Sequence, residues 1–411
     1  MKFFLVPAIF LLAESLWSLR SGFRFLDLVR KNRRRPLGDY CPQAAVIIPC
    51  KGLGDDLRRN APQFFRQDYP EYQLIFVVAS RDDPAYAFLA DLVAYGRDKR
   101  RSTPNSYVIA AGQAENNGEK VNNLLAGVSA VDREAKALVF ADIDAQPAAD
   151  WLRSLIAPLA DAKITVSTGY RWYLPGRGFS SRLRAAWDTA IAMMLGDHDH
   201  NFAWGGSMAI RASDFHRLRI AERYWRQTVS DDYALAQAVR EAGGKIHFQP
   251  RCLVASRGET SWRGFMEWTN RQIIITRVYA SGYWKKGLAF YGLYALTFLA
   301  GIALAVWPGV RVSHRIVTVA LLAAILSLGI AKGAVRARVA WEIFPGEHAL
   351  LCRYGSCYWR LGPLLPWIML WNFAIAAFRR RIEWAGITYE LRSDHELKIL
   401  NRCRNAAREQ R

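Results

Sequence analysis

Apolar positions in this chain follow two patterns. Near the amino terminus and in the last third they run on without a break, and in between they come in short bursts separated by polar segments of helical period. Phe3 to Leu19 is apolar apart from Glu14, Ser15 and Ser18 and lacks the small-residue cleavage site of a signal peptide. It is expected to be an uncleaved anchor, or an interfacial helix, since roughly seventeen residues is short for a core of ~30 Å. Gly287 to Val310, Ile316 to Ala331 and Leu361 to Phe378 are predicted membrane helices, the last with Pro363 and Pro366 inside it. The mixed stretch Ala334 to Arg360 is expected at the membrane surface.

The middle of the chain alternates. Ala44–Ile48, Gln73–Ala79, Tyr107–Ala110, Leu138–Phe140, Ile164–Thr168 and Ala209–Ile210 carry strand patterns. Asp56–Phe65, Pro84–Tyr95, Lys120–Ala130, Phe179–Leu195, the stretch that follows Val229–Tyr233 up to Ala242, and Phe265–Val278 carry helical ones. Strand, helix, strand in succession predicts a doubly wound α/β sheet. The expected division is an anchor over 1–30, a cytoplasmic domain over 40–280, a membrane region with two to three apolar helices over 281–390, and a polar tail over 391–411.

Composition changes this picture in one respect. The 411 residues carry a formal charge of +20, which suggests nucleic acid. Much of the basic charge flanks the apolar stretches instead: Lys31 and Arg33–Arg35 after the first, Lys285 and Lys286 before the second, Arg379–Arg381 after the last. That distribution suits anionic lipid and the positive-inside tendency, and no basic stripe with interleaved aromatics lies between Ala44 and Tyr279. No nucleic-acid partner is expected. Cys41, Cys50, Cys252, Cys352, Cys357 and Cys403 form no C-x-x-C pair, so reduced thiols are expected.

The candidate chemistry centres on Asp142 and Asp144, two carboxylates just past a buried strand. Ligands of such sheets collect at that edge, and hard oxygen donors suit Mg²⁺ or Mn²⁺. Spacing alone is weak evidence, because about one Asp-x-Asp is expected by chance in a chain of this composition. A second stands at Asp197 and Asp199, interleaved with His198 and His200, and is equally a polar loop. Pro49-Cys50-Lys51-Gly52 is a turn that can receive a nucleotide or simply end a strand. Trp204-Gly205-Gly206 lets backbone approach a ligand or a strand begin. Asp231 and Asp232 open a helix, where acids also serve as caps. Arg271 could clamp diphosphate oxygens.

Taken in order, these stations resemble membrane-bound family 2-type glycosyltransferases of the GT-A fold, closest to the ceramide glucosyltransferases. The resemblance covers Ala44 to Tyr279, with an echo in Arg381-Ile-Glu-Trp384-Ala-Gly386-Ile-Thr-Tyr389-Glu-Leu391. Asp82-Asp83-Pro84 is similar to the family's first aspartate site, which meets the uracil end of a UDP-sugar. Lys120-Val-Asn-Asn123-Leu124 looks like its Lys-x-Asn-Asn-Leu element. Asp142 falls on the second aspartate site, with Asp144 completing a metal-binding pair. Asp231-Asp232-Tyr233 stands where the family has an acid, the catalytic aspartate and a tyrosine. The departure is Trp268-Thr-Asn-Arg271-Gln272, which keeps only the Arg of the family's Q/R-x-x-R-W.

The resemblance implies an inverting transfer from a UDP-sugar to a lipid hydroxyl, with Asp232 as base. Lys51, Asp82, Asp83, Lys120, Asn123, Asp142 and Arg271 would bind the donor, and a divalent cation would sit on Asp142 and Asp144. Trp204, Gly206, His198 and His200 mark the expected acceptor region. A polysaccharide synthase or an inactive relative is the alternative. Three crossings after the catalytic part would put Arg379–Arg381 outside, against the positive-inside tendency, so one apolar segment is expected to be interfacial or re-entrant.

Overall fold

The computed structural model describes residues 2–98 and 104–402. The chain folds into two compact units, one comprising Asn32–Trp172, Leu195–Arg257 and Arg380–Arg411, the other Met1–Lys31, Tyr173–Met194 and Gly258–Arg379.

The first unit is built on a seven-stranded sheet: β1 (Ala44–Pro49), β2 (Tyr72–Val78), β3 (Asn105–Ala110), β4 (Ala137–Ala141), β5 (Ile164–Tyr173), β6 (Ser207–Arg211) and β7 (Lys245–Ser256). Their order is β3-β2-β1-β4-β6-β5-β7. The pairs β3-β2, β2-β1 and β1-β4 are parallel, whereas β6 runs antiparallel to both β4 and β5. Every residue of β2 and β4 is buried, as strands covered on both faces require. Helices α2 (Asp55–Phe64), α3 (Pro84–Asp98), α4 (Glu119–Ser129), α5 (Trp151–Ile156), α7 (Ala212–Arg217) and α8 (Asp231–Glu241) belong to the same unit. One core joins Ile47, Ile75 and Phe140 of the sheet to Val121 and Leu124 of α4 and Leu235 and Val239 of α8. This is the mixed α/β sheet of the GT-A expectation.

Of the residues expected as a polar tail, 391–402 form part of a second, three-stranded antiparallel sheet with those before them, and 403–411 lie outside the described residues. It comprises β8 (Arg381–Trp384), β9 (Ile387–Ser393) and β10 (Glu396–Arg402), with β9 central. Alternation along β9 buries Ile387, Tyr389 and Leu391 and leaves Thr388 and Glu390 half-buried.

The second unit contains α1 (Lys2–Arg34), α6 (Phe179–Ala192), α9 (Trp262–Tyr279), α10 (Ser281–Val306), α11 (Val312–Ile343), α12 (His348–Tyr354), α13 (Cys357–Arg360) and α14 (Leu365–Phe378). Among the described residues, four helical stretches are long and apolar enough to cross a membrane: Phe3–Arg34, Ser281–Val306, Val312–Ile343 and Cys357–Phe378. The protein is an integral membrane protein. Helix α1 runs well past the anchor expected from Phe3–Leu19, through the basic run, and Arg30 pairs with Glu342 of α11 at 2.7 Å. Phe4, Ala8 and Leu11 of α1 pack on Tyr294 and Phe298 of α10 and on Leu322 and Ile325 of α11.

Polar groups tie the rest. Asn372 of α14 accepts from Trp187 Nε1 of α6 at 3.2 Å and donates to Thr269 Oγ1 and Asn270 Oδ1 of α9. Buried in an apolar unit, such groups need these partners. Leu296, Leu299, Ile302, Ile316 and Val319 remain exposed on α10 and α11, as lipid-facing positions should.

Candidate active site

Strand direction decides what meets at the sheet's edge. Because β6 is antiparallel to β4, pairing Ala141 with Ser207, the residues that precede β6 stand beside those that follow β4. Asp142 N accordingly donates to Gly206 O at 3.2 Å. Strand β5 is antiparallel to β6, so its far end returns to the same edge and brings Arg171 with it. The amino-terminal turns of α4 and α8 deliver Lys120, Asp231 and Asp232.

The result is a charge cluster. Lys120 Nζ lies 2.8 Å from Asp142 Oδ1 and 3.2 Å from Asp231 Oδ1. The Arg171 guanidinium bridges Asp142 at 3.3 Å and Asp144 at 3.5 Å, and it lies over the Trp204 ring, 4.9 Å from the centroid. Asp232 Oδ1 accepts from Tyr233 N at 2.8 Å and from the Ser230 hydroxyl, while Oδ2 faces Gly205 N at 3.4 Å. A Cβ on Gly205 would push against Asp231 Oδ2 and the Lys120 ammonium, so the glycine leaves room for that ion pair.

Burial sets the electrostatics. For Asp231 it pushes the carboxyl up to about 7, opposed by Lys120 and reinforced by Asp232 and Asp142. Asp142 is equally buried, but Lys120 and Arg171 outweigh the desolvation and hold it below the usual carboxylate range. Burial works against charge on Lys120, and Asp142, Asp231 and Asp232 more than restore it.

The other expected donor residues divide. Asp83 accepts from Gly52 N at 2.9 Å and from Ala85 N at 2.9 Å, so the first aspartate site is locked onto the turn after β1. Asp82 is exposed and bonds within its own turn to Ser80. Lys51 pairs with Glu119 at 2.6 Å. Asn123 is buried on α4 with its carboxamide oxygen unpartnered. Trp204 and Gly206 flank the cluster. Arg271 lies on α9 in the membrane unit, where Trp268 packs edge-on against Tyr173 and Trp187.

His198 and His200 sit in an exposed loop organised by buried Asn201, whose amide donates to Gly196 O and His198 O. A cleft of about 340 Å³ in the membrane unit is lined by Arg177, Glu259, Leu350, Arg353 and Tyr354 and holds none of the expected site residues. The five cysteines among the described residues are free, and Cys403 lies outside them.

No three His, Cys, Asp or Glu side chains converge as a ready-made metal cage among the described residues. Two carboxylates fit a cation of another kind. Mg²⁺ is commonly held by one or two carboxylates with substrate phosphates completing its shell, and Asp144 Oδ1 is buried here without a hydrogen-bond partner.

Sequence reasoning missed Arg171 and Glu119. For Arg171 the signal was present: β5 continues past Thr168 through Tyr170 and Trp172, which extends the strand to the sheet edge.

A family model for glycosyl transferase family 21 matches residues 3–397. Among solved structures the chain is similar to the mannosyltransferase PcManGT from Pyrobaculum calidifontis in complex with GDP-Man and Mn²⁺. That match has 16% identity over 90% of this chain and 97% of the other, with a TM-score of 0.46. It is also similar to GalNAc-T7 with UDP, GalNAc and Mn²⁺, at 13% identity over 58% of this chain and 49% of the other, TM-score 0.37. Likenesses this distant transfer no residue roles.

Proposed function

The chain belongs to glycosyl transferase family 21, and we propose that it moves a sugar from a UDP-sugar to a lipid hydroxyl at the membrane surface, with inversion at the sugar carbon. The observation that carries this reading is the meeting of Lys120, Asp142, Asp231 and Asp232 from three separate elements at one sheet edge.

Asp232 is the base. Its Oδ1 is held by two donors, which orients Oδ2 to take the acceptor's proton. The acceptor oxygen forms its bond to the anomeric carbon as the bond from that carbon to the diphosphate oxygen breaks, and the electron pair leaves on UDP. Lys120, charged and fixed by two carboxylates, offsets negative charge growing on the leaving group, and Arg271 is proposed to share that task. Asp142 and Asp144 would hold a divalent cation, which supplies Lewis-acid stabilisation of the same oxygens when bound.

Asp83 and Lys51 follow β2 and β1 and are assigned to the nucleotide, with Asp82 and Asn123 assigned to the same donor. Trp204 and Gly206, with His198 and His200, are assigned to the acceptor. A lipid suits a catalytic unit joined at both ends to membrane helices, and the basic flanks argue for the cytoplasmic side.

The test is a donor and lipid screen. Membranes containing the protein are given a panel of UDP-sugars, and lipid extracts are searched for a new glycolipid. Product that appears with the wild type and vanishes with Asp232→Asn supports the reading. Equal product from both, or none with any donor, overturns it.

A further inference from the structure

The C-terminal sheet touches the turn that carries Lys120. Glu119, the first residue of α4, is gripped at both carboxylate oxygens: Oε1 by Lys51 Nζ at 2.6 Å and Oε2 by Arg402 Nη1 at 2.9 Å. Its backbone N donates to the Tyr389 hydroxyl at 3.1 Å. Arg402 also donates to Ala114 O at the start of the same loop. Tyr389 is 2% exposed, and the Glu119 side chain keeps only 12% of its surface, so both bonds are sheltered from water.

The loop's other side is held equally closely. Gly118 N donates to Thr228 O at 2.8 Å, Asn117 Oδ1 accepts from Gln227 N, and a Cβ on Gly118 would stand 2.9 Å from Val229 Cα. Thr228 and Val229 lead directly into Ser230, Asp231 and Asp232. Residues 114–119 are therefore clamped between β9 and β10 on one side and the segment carrying the proposed base on the other. A shift of Glu119 displaces Lys51 through its ion pair, whereas the Lys120 ammonium is held separately by Asp142 and Asp231.

We propose that the C-terminal sheet is a working part of the donor site, with Arg402 and Tyr389 as positioning residues that fix Glu119 and, through its ion pair, Lys51. This rests on the UDP-sugar reading and goes beyond it. Neither residue touches the reacting atoms, so each acts on donor affinity, not on the chemical step.

The experiment is donor titration of the full-length protein in detergent, beside steady-state kinetics, for wild type, Arg402→Gln, Arg402→Lys and Tyr389→Phe. Arg402→Gln should weaken donor binding and raise its KM about tenfold, as loss of a sheltered charged hydrogen bond does. The kcat should change less than about twofold, because the interaction is common to ground and transition states. Arg402→Lys should recover part of the loss. Tyr389→Phe, which removes one hydroxyl and is the gentler change if Arg402→Gln fails to fold, should move KM in the same direction by a smaller factor. Adding Arg402→Gln to Glu119→Gln should cost nothing further, because the two act through one contact.

Donor affinity unchanged in Arg402→Gln and Tyr389→Phe, with wild type binding normally, overturns the inference alone. So does a loss confined to kcat. Wild type that binds no nucleotide sugar overturns the donor reading itself, and the inference with it.

Discussion

The chain contains two Asp-x-Asp pairs of identical spacing, and they have opposite fates. Asp142 and Asp144 follow a fully buried strand, and the Asp142 side chain is 19% exposed between Lys120 and Arg171. Asp197 and Asp199 lie in a surface loop, where Asp199, 72% exposed, meets Lys245 at 3.0 Å. The same pair of residues is therefore two different objects. In the first, charges withdrawn from water interact strongly and each depends on the others; in the second, solvent screens them. What separates the two is the strand in front of Asp142 and the antiparallel return of β6, not the motif.

Substitutions can break or sharpen that contrast. The largest effect is expected beside the first pair. Asp232→Asn should lower kcat roughly 10²–10⁴-fold while sparing donor affinity, measured by sugar transfer and by titration. Turnover near that of wild type would remove the base from the cluster.

Asp142→Ala or Asp144→Ala should cost roughly 10²-fold in transfer and shift the cation concentration needed for half-maximal rate. The same changes at Asp197 and Asp199 should do neither. Equal losses from the two pairs would erase the distinction.

A third expectation concerns pH. Asp231 is raised from 3.8 to about 7 in the folded state, so the native protein keeps this proton longer than the unfolded chain does. Its contribution to stability must then fall as pH rises from 3.8 to about 7, and level off above. Asp231→Asn, which mimics the protonated form, should match wild type near the lower limit. It should become more stable by a few kcal/mol near the upper one, in denaturation followed in detergent without added cation. A gap that stays constant with pH would mean that Asp231 does not titrate in this range. Smallest of all, Asp199→Asn should change stability by no more than about 0.5 kcal/mol, since its ion pair with Lys245 is exposed.

Most strands of the sheet were legible because burial on both faces leaves an uninterrupted apolar run, as in Leu74–Val78 and Leu138–Phe140. The longest strand, β7, was not. Its sequence interleaves Lys245, His247, Gln249 and Arg251 with apolar residues and contains Pro250, which argues against a central strand. It is an edge strand, where proline is tolerated.

At the candidate site, residues that announce themselves by charge after a strand, such as Asp142 and Asp83, could be named from the sequence as candidates. Arg171 was not named, because its place in the cluster arises from antiparallel strands whose partners a linear pattern does not reveal. The pairing of Arg402 with Glu119 spans 283 positions, and the echo around Tyr389 hinted at that region without naming its partner.

The second, smaller sheet also constrains how the polypeptide threads the bilayer. Arg257 and Arg380 belong to the same folded unit, so an even number of passes is expected between them. Helix α14, Leu365–Phe378, has 14 residues and a rise of about 21 Å, short of a ~30 Å hydrocarbon slab. Helices α10 and α11 have 26 and 32 residues, each enough for one pass, and Cys357–Phe378 is a further candidate of 22 residues. A reporter in the Trp307–Arg311 turn should then be accessible from the face opposite to one fused behind Arg402, and parity, more than hydropathy, dictates that outcome.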